Sequence, residues 1–233
     1  MENIKHLIVM FEWLNQIDTQ FFLSLNGAAN PFFDRFFAFF TSKETWYPFY
    51  ILLMALIVRK YKMQSIWVIL FFILLIVLSD QLSGLIKDLV ARLRPTHEPA
   101  LDGLVHNPTK RGGKFGFVSS HAANSFALAV LTGFVSQRKR LWGVLLLWAF
   151  ITSYSRIYVG VHYPFDVIAG AVLGVLIAWG VYVLLKIFDN HFQRKRIAVA
   201  GPWKTKHANM LIIALVFIVS TLLVVAKLGP RYF

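Results

Sequence analysis

The chain has 233 residues, 58% of them hydrophobic and 15% charged, and a mean hydropathy of +0.62, which is too apolar for a soluble domain of this size and suits one membrane bundle. The absence of cysteine excludes disulfides and thiolate metal sites. The formal net charge of +13 sits in short basic clusters between apolar runs, where anionic lipid headgroups rather than nucleic acid are the expected partner.

The N-terminus, MENIKHLIVMFEWLNQ, pairs a lysine with an apolar run but carries Glu2, Glu12 and Asp18 and lacks a small-residue cleavage site, so no removed signal peptide is expected. Apolar residues up to about position 40 are broken by Glu12, Asn15, Asp18, Asn26 and Asp34, a pattern of amphipathic helices lying in the membrane interface. Phe32, Phe33, Phe36, Phe37, Phe39 and Phe40 surround Asp34 and Arg35 as an aromatic run of headgroup depth. Residues 1–45 are therefore expected to anchor and frame a membrane domain over 46–233.

That domain is predicted to be an all-α bundle of six spans. The first covers Trp46 to Val58, with residues upstream of Trp46 added to reach spanning length, and ends at Arg59-Lys60-Tyr61-Lys62. The second runs from Gln64 to Ile86, the third from Ser119 to the basic run at Gln137 to Arg140, and the fourth from Leu141 to Tyr158. The fifth runs from Pro164 to Phe188 and the sixth from Ala208 to Lys227. Between the second and third, residues 88–118 hold the unpatterned stretch Thr96 to Phe117, long enough without periodicity to mark a functional loop.

With six spans, Arg59 to Lys62, Arg138 to Arg140 and Arg194 to Lys206 fall on one side, which the positive-inside rule makes cytoplasmic. The opposite, outward side then holds the 88–118 loop and the turn from Tyr158 to Pro164. Lys87, Arg92, Arg94, Lys110, Arg111 and Lys114 break the charge bias there, and anion binding is a local reason for it.

Three segments on that side carry chemistry. Lys87 and Arg94 are seven residues apart, so on a continuing helix they face the same way about 10 Å apart, with Pro95 ending the helix. Ser119-Ser120-His121 follows a glycine-rich segment and opens the third span; Ser119 is an N-cap candidate at a helix terminus suited to anions. Ser155-Arg156 closes the fourth span, and His162 and Asp166 lie four apart across Pro164, so that the carboxylate can fix one imidazole nitrogen and leave the other for an electrophile.

Together, Lys87-x6-Arg94-Pro95, Ser119-Ser120-His121 and Ser155-Arg156-x5-His162-x3-Asp166 resemble the three-part signature of the type 2 phosphatidic acid phosphatase superfamily. The likeness covers about residues 46 to 190; Ser120 stands where the family carries glycine, and its Cβ narrows the backbone geometry there. The resemblance implies that His162 attacks phosphorus, that Asp166 orients it, and that His121 protonates the leaving oxygen and then activates water. It also implies that Lys87, Arg94, Ser119, Ser120 and Arg156 hold the phosphoryl oxygens. No cofactor is expected, because three cations already supply the charge phosphoryl transfer needs; His97, Glu98, Asp102 and His106 lack the tight spacing of a metal site.

The expected enzyme is a lipid phosphatase of a bacterial-type inner membrane with an outward-facing site. Its substrate would be undecaprenyl diphosphate, phosphatidic acid or phosphatidylglycerol phosphate, or a lipid A phosphate. A transporter of anionic lipids is an alternative that hydrolysis in detergent micelles would exclude as the sole activity. A vanadate-dependent haloperoxidase is the other, which bromination with added vanadate would reveal.

Overall fold

The computed structural model describes residues 2–192 and 201–229, and among these the secondary structure is helical apart from one isolated bridge between Leu93 and Phe115. Eight α-helices follow in order: α1 (Glu2–Asn26), α2 (Pro31–Phe40), α3 (Tyr47–Tyr61), α4 (Ser65–Val90), α5 (Ser120–Ser136), α6 (Lys139–Tyr158), α7 (Pro164–Phe192) and α8 (Thr205–Leu228). Local chemistry sets several of these boundaries. Asn30 caps α2 by accepting the Phe32 N–H at 2.8 Å with Pro31 in the first turn, and Ser119 accepts from the Ala122 N–H at the start of α5.

Among the described residues three stretches are long and apolar enough to cross a membrane: Glu44–Val90, which contains α3 and α4, then Pro164–His191 and Thr205–Leu228. The helices α5 and α6 are not among them. At seventeen residues α5 is at the short limit for a span, and twelve of them are buried, many of them alanine, serine or glycine, because its neighbours are other helices.

The closest packing joins α5 to α7. A Cβ on Gly170 would lie 2.4 Å from the Ser119 carbonyl oxygen, and one on Gly174 would lie 2.2 Å from that of Ala123. This small-xxx-small pair brings the two backbones together where each carries site residues. At the opposite end, the Trp203 N–H donates to the Ser136 carbonyl at 3.0 Å and Arg138 Nε donates to the Trp203 carbonyl at 2.5 Å, gathering the α5–α6 turn and the entry to α8. The basic Arg194-Lys195-Arg196, expected on that side, lies outside the described residues.

One local expectation is corrected. Lys87 and Arg94 do not share a helix: α4 stops at Val90, with Ala91 in the left-handed region (φ 50°) donating back to the Lys87 carbonyl. The chain then runs extended, Arg94 N–H donating to the Lys114 carbonyl and Gly116 N–H to the Arg92 carbonyl. Pairing with the 114–116 segment replaces the helical hydrogen bonds, which is why Arg94 turns away before Pro95 is reached.

Candidate active site

The site lies at the end of the bundle where α4 and α6 finish and α5 and α7 begin. Ser119 is fully buried, and its N–H donates to the Asp166 carbonyl at 2.9 Å, which ties the start of α5 to the first turn of α7. His121 follows in the first turn of α5, where backbone N–H groups lack helical acceptors and favour an anion.

His162 is 1% exposed in the short link between α6 and α7, and its Nδ1 lies 3.4 Å from Asp166 Oδ2. An ionised carboxylate only accepts, so this contact places the proton on Nδ1 and leaves Nε2 with the free lone pair. The same Oδ2 accepts the Tyr163 N–H at 3.0 Å. Gly116 sits over the pair, and a Cβ there would fall 2.8 Å from Asp166 Oδ2 and 3.3 Å from Arg94 Cγ. Only glycine lets that segment pass so close.

The other oxygen of Asp166 is held by a residue the sequence had marked only as an excess charge. Arg92 Nη1 lies 2.9 Å from Asp166 Oδ1 and 2.7 Å from Asp18 Oδ2, while its Nη2 donates to Asn15 Oδ1 at 2.8 Å. The guanidinium also stacks 4.0 Å from the centre of the Tyr163 ring. Asp18, 0% exposed, accepts the Phe165 N–H at 2.9 Å through its second oxygen. Thus α1 reaches the carboxylate beside His162 through one arginine.

Lys87, Arg94 and Arg156 surround His162 differently. Among the described residues none of the three has a carboxylate within ion-pair distance. Arg94 Nε donates to the Phe115 carbonyl at 3.0 Å, and Arg156 Nη1 to Thr41 Oγ1, at the end of α2, at 2.5 Å. Lys87 Nζ donates to Ser120 Oγ at 2.5 Å and to the Ser83 carbonyl at 3.3 Å. Burial, then the charges of Arg94, Arg156 and Lys87, hold His162 well below the usual histidine range. The imidazole is therefore neutral while the surrounding charge awaits an anion.

An apolar cavity of about 530 Å³ opens beside His121 and Ser120 and runs between α3, α4, α5 and α6. Its walls include Leu53, Phe72, Ile76 and Leu128, with Lys43 and Thr41 toward the polar end.

All eight residues expected from the sequence thus gather at one end of the bundle. Arg92, Asp18, Asn15 and Thr41 join them, and sequence reasoning had not placed these in the site. Asp18 and Asn15 carried one signal, since polar residues interrupted an apolar helix; Thr41 carried none. His106, weighed as a metal ligand, instead bonds Asp34 Oδ1 at 2.7 Å, while the Asn26 side chain caps the carbonyls of His106 and Tyr158.

A family model described as the PAP2 superfamily matches residues 65–189. The lipid A 4'-phosphatase of Bacteroides thetaiotaomicron is 37% identical over 205 residues, covering 86% of this chain and 89% of that protein. The undecaprenyl-diphosphatase of Sulfolobus acidocaldarius is 32% identical over 188 residues, covering 76% of this chain and 78% of its own. The crystal structure of Aquifex aeolicus LpxE superposes with a TM-score of 0.57 at 28% identity, covering 70% of this chain and 93% of that one.

Proposed function

The chain belongs to the PAP2 superfamily, whose lipid phosphatases it resembles over nearly its whole length, and from that premise we propose that it removes a phosphate from a lipid A-type phosphoglycolipid through a phosphohistidine at His162. The observation that carries the mechanism is the neutral His162 ringed by Lys87, Arg94 and Arg156, three cations with no carboxylate partner among the described residues. The lipid A 4'-phosphatase relative, matched nearly end to end, supports the substrate class.

In this reading the three cations and the free N–H groups at the start of α5 bind the phosphoryl oxygens. His162 Nε2 attacks phosphorus in line, and the bond to the leaving oxygen breaks as His121, which takes up a proton when the anionic phosphate enters beside it, passes that proton to the leaving oxygen. His121 then takes a proton from water, whose oxygen displaces Nε2 and releases inorganic phosphate. Charge spreads over the equatorial oxygens in the transition state, where fixed cations in a dry site act most strongly. Asp166 holds the Nδ1 proton throughout and is itself held by Arg92.

We place all six helices α3 to α8 across the membrane, with α1 and α2 in the interface on the site's side. The site then faces the periplasm of a bacterial inner membrane, because Arg59 to Lys62 and Arg138 to Arg140 lie at the other end of the bundle. A polyprenyl diphosphate is the second reading, supported by the undecaprenyl-diphosphatase relative.

The test is phosphate release in detergent micelles from lipid A, phosphatidic acid and undecaprenyl diphosphate, with wild type and His162→Ala side by side. Release from lipid A at the highest kcat/KM, lost in the variant and unaffected by EDTA, supports the proposal. Undiminished release by His162→Ala would sink the mechanism, and a preference for the diphosphate would replace the substrate.

A further inference from the structure

Ser120, which stands where the family carries glycine, has a side chain with a definite place. Its Oγ lies 2.5 Å from Lys87 Nζ and 2.7 Å from Ser83 Oγ, and Ser83 Oγ lies 3.0 Å from the Asp80 carbonyl on its own helix. Ser83 is fully buried and stands one turn before Lys87 on the same face of α4. The three side chains therefore meet where α4 packs on the start of α5.

The hydrogens of this chain have one best order. An ammonium only donates and a carbonyl only accepts, so Lys87 gives a hydrogen to Ser120 Oγ and Ser83 gives its own to the Asp80 carbonyl. Ser83 Oγ then accepts the hydrogen of the Ser120 hydroxyl. That order completes all three bonds, whereas turning the Ser83 hydrogen toward Ser120 loses the bond to Asp80. The Ser120 hydrogen is thus spent inside the protein. Lys87 Nζ also donates to the Ser83 carbonyl at 3.3 Å, so two of its three hydrogens are held and the third has no acceptor among the described residues.

The end of α4 shows why Lys87 needs such a fixture. Because α4 stops at Val90, the helix does not align Lys87 with Arg94, and a lysine head on a flexible four-carbon stem is repelled by the two arginines that share its site. We infer that Ser120 is a positioning residue for Lys87: with Ser83 it pins the ammonium so that the remaining hydrogen is ready for a phosphoryl oxygen, a task that a glycine has no side chain to perform. Fixing the cation beforehand removes ordering that anion binding would otherwise require. The inference rests on the phosphatase reading and gives Ser120 to Lys87 rather than to the phosphate.

The probe is inorganic vanadate, a phosphate-like oxyanion, titrated calorimetrically in detergent so that anion binding is read without choosing a lipid, with phosphate release from lipid A measured alongside. Ser120→Ala and Ser120→Gly should each weaken vanadate about tenfold, the share of one charge-assisted hydrogen bond, while Ser120→Thr, which keeps the hydroxyl, should stay within about twofold of the wild type. Ser83→Ala should weaken vanadate about threefold and, combined with Ser120→Ala, should add nothing to the loss. Were Ser120 itself a phosphate ligand, removing Ser83 would free its hydroxyl hydrogen. Vanadate binding by Ser83→Ala that is unchanged or tighter would therefore overturn the inference, as would wild-type binding by Ser120→Ala. The expected pattern supports the inference even when lipid A releases no phosphate, which would overturn the lipid A substrate alone. No vanadate binding by the wild type would overturn the phosphatase reading and this inference with it.

Discussion

His162 couples chemistry to stability through its charge state. Its folded form resists a proton that the unfolded chain accepts near pH 6.5, because burial and three cations oppose the imidazolium. The unfolded state thus binds more protons below pH 6.5, so the stability tied to His162 is present above that pH and is lost as the pH falls toward the depressed folded value. The thermal midpoint of the wild type should fall more steeply from pH 6.5 to about 5 than that of His162→Asn, measured in one detergent. Equal slopes would contradict a neutral buried imidazole. Arg92 makes a second prediction. Removing it leaves two buried carboxylates, Asp18 and Asp166, without their shared cation. Arg92→Ala should cost about 3–5 kcal/mol in denaturant unfolding, and Asp18→Asn added to it should recover part of that loss. A strictly additive double variant would show that the two act independently.

Among the elements, α5 and α7 determine whether His121 and His162 face one phosphate. Gly170 and Gly174 allow their contact, so Gly174→Leu should force the helices apart. A misplacement of about 1 Å is enough for a loss on the order of 100-fold in kcat, with a lowered thermal midpoint as its companion. Unchanged kcat would mean that the helices need not touch there. The Gly170-x3-Gly174 spacing stands in the sequence and could have announced this packing. The helices themselves were legible because basic runs, Pro164 and Ser119 mark their ends, and the motif residues were legible because their spacing survives folding. The end of α4 was not. Ala91 in a left-handed cap carries no glycine or asparagine signal, and the pairing that draws Arg94 away comes from residues twenty positions further on. The role of α1 was hidden for a similar reason, since Asp18 and Asn15 meet Arg92 only through the fold.

At the scale of the whole molecule, the bundle sorts charge from oil. Lys87, Arg94 and Arg156, without carboxylate partners among the described residues, gather at one end, and an apolar cavity descends from them toward the middle of α4 and α5, so a phosphate and its lipid chain have adjoining places. This arrangement predicts that lipid phosphates are better substrates than water-soluble phosphomonoesters such as glycerol phosphate by a large margin in kcat/KM. Comparable values for the two would mean the cavity plays no part in binding. The central claim, a covalent phosphohistidine at His162, is tested most directly by rapid alkaline quench of wild type turning over lipid A labelled with radioactive phosphorus, followed by peptide mapping. The account predicts label on the peptide that contains His162, absent from His162→Ala together with turnover; label elsewhere, or turnover that persists in the variant, would contradict it.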